Sequence, residues 1–190
     1  MEFDSRMVAF GPQLRKVWTS SATSGMIKVS LLHETSLGND PAQFRKICIP
    51  GDGRCLFRSV VHGACLRSGK PSPSESHQKE LADELRAKVA DEFVKRRTDT
   101  EWYLEGDFDK YVVHMRQHHI WGGEPELLMA SHVLQMPITV YMKGKNCGSL
   151  KIIAEYGQEY GKDSPIRVLY HGYGHYDALR NPIGGAESNL

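Results

Sequence analysis

The chain has 190 residues, 40% of them hydrophobic and 25% charged, and its 24 basic residues nearly balance its 23 acidic ones. This length favours one domain with a buried core, and the composition is ordinary for a soluble protein. The sequence has no block of like charge typical of a nucleic-acid or anionic-membrane surface, and no apolar run approaches the roughly 18 residues of a transmembrane helix. We therefore expect neither a secreted nor a membrane-spanning protein, and no binding to nucleic acid or membranes.

The first part of the chain differs in composition from the rest. Residues 6–33 contain no acidic side chain, a bias that weakly resembles an organelle transit sequence. A tail docked on the folded domain is the preferred interpretation. We expect an N-terminal extension over 1–40, one folded domain over 41–185 and a short C-terminal tail over 186–190.

The next part of the chain predicts helices. Asp-Pro at 40–41 is typical of a helix start, and the short apolar segment 46–50 runs into a glycine turn at 51–54. Apolar residues then recur at helical spacing, which predicts a buried helix from about Cys55. Residues 72–75 (SPSE) and 98–101 (TDTE) match a capping box. Each therefore predicts a helix start.

A further helix and a group of strands complete the pattern. The glycine turn GGEPE at 122–126 predicts entry into another helix. Short β-rich segments then predict strands at 137–141, 150–154, 166–170 and 175–179, the last two joined by a hairpin loop. Helices followed by strands indicate an α+β fold with a small central sheet packed between helices.

One of the four cysteines lies at a position that suits a catalytic thiol. Cys55 stands at the junction of the glycine turn and the predicted helix. Backbone N–H groups at a helix N-terminus favour thiolate over thiol, and they can bind an oxyanion. Gly51 and Gly53 would let backbone approach a substrate closely. No C-x-x-C pair supports a zinc ribbon, and the remaining cysteines are expected to be packing or surface thiols: Cys48, Cys65 and Cys147.

A histidine and an aspartate could complete the site. His175 and Asp177 alternate along a predicted strand, so both would face one side and the carboxylate could orient the imidazole. Taken alone, a cysteine at a helix start is more often a small buried residue. His114 and His118 would have metal-ligand spacing on one helix, but ordinary surface histidines are the favoured interpretation.

Three segments carry a further pattern, in chain order: residues 52–60 (DGRCLFRSV), 121–127 (WGGEPEL) and 175–177 (HYD). They resemble, respectively, the cysteine box, the middle segment and the histidine box of the OTU (ovarian tumour) family of deubiquitinating cysteine proteases. The resemblance covers roughly residues 45–180, and the plant branch of the family looks most similar. Arg54 stands where many members have asparagine, at a position that varies.

The resemblance implies a papain-like fold and hydrolysis of the isopeptide bond between the C-terminal glycine of ubiquitin and a lysine, through a thioester. It assigns Cys55 as nucleophile, His175 as general base, Asp177 as the residue that orients His175, and Asp52 as the residue that shapes the oxyanion loop and acts as a candidate switch. The expected substrate-binding residues are Gly53, Arg54, Trp121, Gly122, Gly123, Glu126 and Tyr176.

Several alternatives stay open at this point. Trp121 could be a buried core residue, and a helix-start carboxylate is the favoured interpretation of Glu126. The implied partners are ubiquitin, polyubiquitin chains and ubiquitinated proteins, with no metal or other cofactor. We expect a monomer in the cytoplasm, with the nucleus or plastid as alternatives. A catalytically silent ubiquitin-binding module, or a hydrolase of another ubiquitin-like modifier, is the alternative function.

Overall fold

The computed structural model describes residues 44–144 and 149–181. The helix start expected at 40–41, the domain limits near 41 and 185, and Cys147 lie outside these residues. None of the described helices is long and apolar enough to cross a membrane.

Five α-helices lie in the described residues: α1 (Cys55–Arg67), α2 (Glu75–Lys95), α3 (Arg97–Thr100), α4 (Phe108–Met115) and α5 (Glu124–Leu134). The helix expected from Cys55 is confirmed, because Phe57 and Val60 are fully buried at the predicted helical spacing. The glycine entry into α5 is also confirmed.

Two of the predicted helix starts were wrong in position. α2 is capped by Ser74, whose hydroxyl accepts from the N–H of His77, so the cap lies two residues beyond the expected Ser72. Thr98 lies inside the one-turn helix α3, and the following long helix, α4, begins only after Asp107 caps it. In the second case Glu101 pairs with Arg97, four residues earlier, and does not form the expected capping box.

The strands form one mixed sheet in the order β1-β5-β4-β2-β3. The strands are β1 (Arg45–Ile47), β2 (Ile138–Lys143), β3 (Leu150–Tyr156), β4 (Ile166–Tyr170) and β5 (Tyr176–Arg180). The β2–β4 pair is parallel and the other pairs are antiparallel. The four strands expected after the helices are confirmed within two residues at each end, and so is the α+β class.

Helix α1 lies directly on the sheet. A Cβ added to Gly63 of this helix would lie 2.8 Å from the side chain of Ile166 on β4. Alternate side chains of β4 and β5 face opposite sides of the sheet, and Val168 and Ala178 lie in the main core. Leu169 and Leu179 belong to a smaller cluster with Tyr141, Phe44, Leu150 and Ile152. Because α1 packs on β4 and β5, its N-terminus comes close to the loop that joins these two strands.

Candidate active site

Cys55 is the first residue of α1 and is only 4% exposed. The turn before it depends on Gly53, which has φ +82° and whose added Cβ would lie 2.6 Å from the backbone of His119. The thiol of Cys55 lies 3.7 Å from the carbonyl oxygen of Gly174, which precedes His175. The fold therefore brings the cysteine turn and the β4–β5 loop together across 119 residues of chain.

The electrostatics of Cys55 differ from the sequence expectation. Burial raises the pKa of the Cys55 thiol, and the charge of Asp52 adds to this, while backbone N–H groups of Tyr176 and Leu56 lower the pKa by less. The expected effect of the helix N-terminus is present, but burial outweighs it. In this state the site holds a thiol that donates to the Gly174 carbonyl.

Asp52 is tied into the cysteine turn by two donors. Its carboxylate accepts from the backbone N–H of Arg54 at 3.1 Å and from the guanidinium of Arg58 at 2.8 Å. Burial raises the pKa of Asp52, but these two hydrogen bonds and the charges of both arginines outweigh burial and hold it below its usual value. This position agrees with the predicted loop-shaping role, which stays a prediction.

Arg54 also fixes the turn to the neighbouring helix. Its guanidinium makes a two-point pair with Asp83 of α2, at 2.7 and 3.1 Å. This bond raises the pKa of Arg54. The side chain expected to bind substrate is therefore engaged within the protein, in a geometry that lysine could not reproduce.

Arg86 is a residue that the sequence reasoning missed. It is 1% exposed, and its guanidinium donates to the carbonyl oxygens of Gly53 at 2.8 Å, Met115 at 3.1 Å and His118 at 3.2 Å. It also lies 4.3 Å from the ring centroid of Phe57. Burial lowers the pKa of Arg86 to about 10. This single buried side chain joins the cysteine turn to the loop after α4.

Replacing Arg86 should destabilise the whole domain. We expect Arg86→Met to lower the free energy of unfolding by about 2–4 kcal/mol, because three backbone carbonyl groups, two of them in buried contacts, lose a charged donor. Urea unfolding measures this, with Arg116→Met as the control. Arg116 pairs with Asp91 at the surface, with a side chain 41% exposed, so its loss should cost at most about 1 kcal/mol. Equal losses in the two variants would contradict the linking role of Arg86.

Asp177 is the second residue of β5, and His175 is the last residue of the β4–β5 loop. The ends of this loop are joined by a hydrogen bond from the His171 N–H to the His175 carbonyl at 3.0 Å. The Nε2 atom of His175 lies 3.3 Å from Oδ1 of Asp177. Its Nδ1 atom lies on the side of the cysteine turn, 3.8 Å from a Cβ placed on Gly51. The predicted His–Asp pair is thus in contact, with the other ring nitrogen turned toward the cysteine turn.

Asp177 is 3% exposed and accepts from further donors beside His175. They are the Ile49 N–H at 2.7 Å, His171 Nε2 at 2.9 Å and Lys46 Nζ at 3.4 Å. Burial raises the pKa of Asp177, but the hydrogen bonds from Ile49 and His171 and the charges of His171 and Lys46 outweigh it and keep the pKa below its usual value.

Among the described residues, the same cluster has a spacing that would suit a metal ion. Ligand atoms of His171, His175 and Asp177 lie within 4.8 Å of one another. Each of these atoms already takes part in a hydrogen bond, and the ammonium of Lys46 stands beside the carboxylate, so the geometry is that of an ion-pair cluster. His114 and His118 do not share a helix, because α4 ends at Met115.

Trp121 is at the surface beside the site, being 55% exposed, so the alternative of a buried core tryptophan is wrong. Its ring lies on Gly174, where an added Cβ would be 2.5 Å from Trp121 Cε3. Gly122 is buried, and its added Cβ would touch Leu56 and Phe57 at 3.3 Å. The segment expected to form one wall of a substrate channel thus lies against the loop that holds His175.

Gly174 and Gly172 form a matched pair for testing this contact. Both have positive φ, +73° and +88°, but only Gly174 has neighbours within 4 Å of an added Cβ. Each substitution by alanine should cost about 1–2 kcal/mol of stability from backbone strain. Gly174→Ala should also displace Trp121 and the carbonyl beside Cys55, and so lower kcat/KM by at least about tenfold more than Gly172→Ala does. Similar activity in the two variants would show that the contact is irrelevant to turnover.

Two of the expected substrate-binding residues have buried side chains, and their contact with substrate stays a prediction. Glu126 is 1% exposed and accepts from the hydroxyl of Tyr111 and from the Gly123 N–H, the latter at 2.6 Å. Burial raises the pKa of Glu126. Glu126 therefore caps the entry to α5, as its alternative interpretation held, and Gly123 is its partner. Tyr176 is 2% exposed, and its ring packs 5.0 Å from that of Tyr170, so its side chain belongs to the core.

A cysteine at a helix start, close to a histidine that pairs with an aspartate on the following strand, is the arrangement of a papain-like cysteine protease. The family model described as OTU-like cysteine protease matches residues 50–177, and the chain belongs to this family. The resemblance seen in the sequence is thereby confirmed.

The curated relatives include plant proteins. The chain is 74% identical over 133 residues to the OVARIAN TUMOR DOMAIN-containing deubiquitinating enzyme 4 of Arabidopsis thaliana, a match that covers 70% of this chain and 42% of the relative. It is 34% identical over 155 residues to enzyme 3 of the same series and organism, covering 70% of this chain and 66% of the relative. These matches confirm the expected similarity to the plant branch. The chain spans less than half of the first relative and about two thirds of the second.

Solved structures confirm the fold. The OTUD1 OTU domain matches with a TM-score of 0.58 at 24% identity, covering 73% of this chain and 86% of that chain. The Hazara virus OTU bound to ubiquitin matches with a TM-score of 0.57 at 22% identity, covering 74% and 83%. At this level of identity the likeness establishes the OTU fold, as expected from the sequence.

Proposed function

We propose that this chain is a deubiquitinase that hydrolyses the isopeptide bond at the C-terminal glycine of ubiquitin. The observation that carries the proposal is the position of Cys55 Sγ, 3.7 Å from the Gly174 carbonyl and therefore next to His175. Two relatives from Arabidopsis thaliana are named deubiquitinating enzymes, and the Hazara virus OTU was solved with ubiquitin bound. These names and that complex support ubiquitin as the partner.

Acylation begins with proton transfer from the Cys55 thiol to Nδ1 of His175. The thiolate attacks the carbonyl carbon of the terminal glycine, and the oxygen takes up the negative charge. The N–H of Cys55, at the first position of α1, would donate to that oxyanion. The imidazolium then gives its proton to the lysine amine, the C–N bond breaks, and a thioester remains on Cys55.

Deacylation reverses the roles. A water molecule gives a proton to His175 and attacks the thioester carbonyl, the C–S bond breaks, and the Cys55 thiolate takes that proton back from His175 as ubiquitin leaves with a free carboxylate. Asp177, 3.3 Å from Nε2 of His175, stabilises the imidazolium formed in both steps. The pathway consumes one water molecule and requires no metal or organic cofactor.

The surroundings of the thiol suit a narrow substrate. A chain that ends in two glycines has little side chain to bind, so the enzyme must enclose its backbone. Trp121 and Gly174, in contact beside Cys55, would form opposite walls of such a passage and part when the tail enters.

The oligomeric state and the location of the protein, a monomer in the cytoplasm, stay predictions from the sequence.

Incubation with a panel of diubiquitins of every linkage tests the proposal. We expect cleavage of at least one linkage, and the panel reports linkage preference at the same time. In parallel, chains of other ubiquitin-like modifiers are offered at the same concentration. Cleavage of those chains alone would replace ubiquitin by another modifier. A folded protein that binds ubiquitin but cleaves no chain would support the silent-module alternative.

A further inference from the structure

Asp177 is held mainly by groups other than the histidine it serves. Its oxygen Oδ1 accepts from the Ile49 N–H at 2.7 Å and from His175 at 3.3 Å. Its oxygen Oδ2 accepts from His171 Nε2 at 2.9 Å and contacts Lys46 Nζ at 3.4 Å. Each oxygen thus has one short bond and one long one. The bond to His175 is a long one, so the orientation of the carboxylate is set by Ile49 and His171.

We propose that His171 is a positioning residue for the reaction, which fixes the Asp177 carboxylate so that Oδ1 faces the imidazole of His175. This inference rests on the proposed thiol hydrolysis, in which His175 carries a positive charge during both steps. His171 acts through Asp177, and the pathway described above assigns it no proton transfer.

The hairpin explains why His171 can hold this position. His171 directly follows β4 and His175 directly precedes β5, and the backbone bond between them sets their separation. Their ring centroids lie 5.4 Å apart, so both rings reach the same carboxylate from neighbouring positions. The strand pairing places Asp177 opposite Leu169, two residues before His171, and Nε2 of both rings reaches its carboxylate.

Lys46 is a weaker candidate for the same task. Its side chain is 41% exposed, against 29% for His171, and its contact with Asp177 is longer, 3.4 Å against 2.9 Å. A lysine ammonium on a four-carbon stem is a mobile point charge, whereas an imidazole has two side-chain torsions and a directed N–H. Lys46 therefore adds charge near Asp177, and His171 supplies direction.

Removing the His171 donor should affect the chemical step more than binding. Without it, Oδ2 keeps only the contact with Lys46, and the carboxylate can rotate about the one short bond from Ile49. The His175 imidazolium is then less well stabilised, and the thiolate of Cys55 forms less readily. The expected signature is a lower kcat with little change in KM.

The test compares three variants with the wild-type chain. His171→Leu removes the donor, and His171→Gln restores one, because the glutamine amide nitrogen reaches about where Nε2 lies. The control is His77→Leu, which removes an exposed histidine on α2. We expect His171→Leu to lower kcat at least about tenfold with KM within about twofold, and His171→Gln and the control to stay within about threefold of wild type.

A second readout is the rate of Cys55 alkylation by iodoacetamide as a function of pH, which needs no ubiquitin. In His171→Leu the rise of this rate should move to higher pH, and in His171→Gln it should return toward the wild-type curve. The proposed function fails if wild type cleaves no ubiquitin chain. The positioning role fails if His171→Leu keeps wild-type kcat and alkylation, or if His171→Gln is as impaired as His171→Leu.

Protein stability is controlled separately. Thermal unfolding is measured for every variant, and if His171→Leu does not fold, His171→Asn takes its place. The asparagine amide ends one carbon short of Asp177, so His171→Asn should be impaired relative to His171→Gln. Equal kcat values for these two variants would overturn the proposal.

Discussion

Replacing Cys55 by alanine is expected to abolish ubiquitin cleavage and leave the fold intact. In the proposed mechanism Cys55 supplies the nucleophile, and neighbouring groups do not replace a missing thiol, so the loss of kcat/KM should exceed about 1,000-fold. Loss of a buried sulfur should cost only about 1 kcal/mol of stability. Release of a fluorophore from the C-terminus of ubiquitin measures turnover, and urea unfolding measures stability.

The matched control for this substitution is Cys65→Ala. Cys65 lies on the same helix, ten residues after Cys55, and is half-buried. It should keep activity within about twofold of wild type. Residual cleavage by Cys55→Ala within about tenfold of wild type would contradict its assignment as nucleophile.

The second large effect is expected at His175. His175→Ala should lower kcat/KM by roughly 1,000-fold, because the thiol then has no base. Asp177→Ala should lower it less, by roughly 10- to 100-fold, because orientation is the smaller contribution. Stopped-flow acylation and steady-state turnover compare the two variants at equal protein stability. Equal or reversed losses would contradict the view that Asp177 acts only by orienting His175.

The raised pKa of Cys55 adds a pH signature to the same comparison. Because burial raises the pKa of this thiol, its alkylation rate should increase as pH rises toward the alkaline side of neutrality. In the proposed mechanism the proton passed to His175 leaves a positive charge beside the thiolate, so His175→Ala should move this rise to higher pH. A flat alkylation profile between about pH 5 and 8 would contradict a Cys–His couple.

The sequence predicted the regular parts of the fold well. Helix α1 and strands β2 to β5 were predicted from the spacing of apolar residues. This spacing is a local property of each element and does not depend on how the elements pack. The caps were less predictable, because Ser72 and Ser74 both suit a cap and only the path of the chain selects between them. Thr98 shows the same limit, since a one-turn helix occupies the place of the predicted start.

The sequence predicted which residues belong to the candidate site, but not the hydrogen bonds that connect them or which of them are buried. The sequence motifs indicated Cys55, His175 and Asp177, and the structure brings the segments that carry them together. Arg86 left no signal, because a buried arginine on α2 looks like a surface residue beside Leu85. The burial of Glu126 and Tyr176 was missed because a motif position does not reveal burial. His171 was missed because its role depends on a carboxylate six residues away across a hairpin.

The most direct test of the account is to treat the protein with ubiquitin that carries a thiol-reactive group at its C-terminus. The intact mass is then measured and the modified peptide is mapped. The account predicts one ubiquitin per chain, attached through Cys55 and absent from Cys55→Ala. A label on the exposed Cys48, or no label on a folded protein, would contradict the claim that Cys55 attacks the C-terminal glycine of ubiquitin.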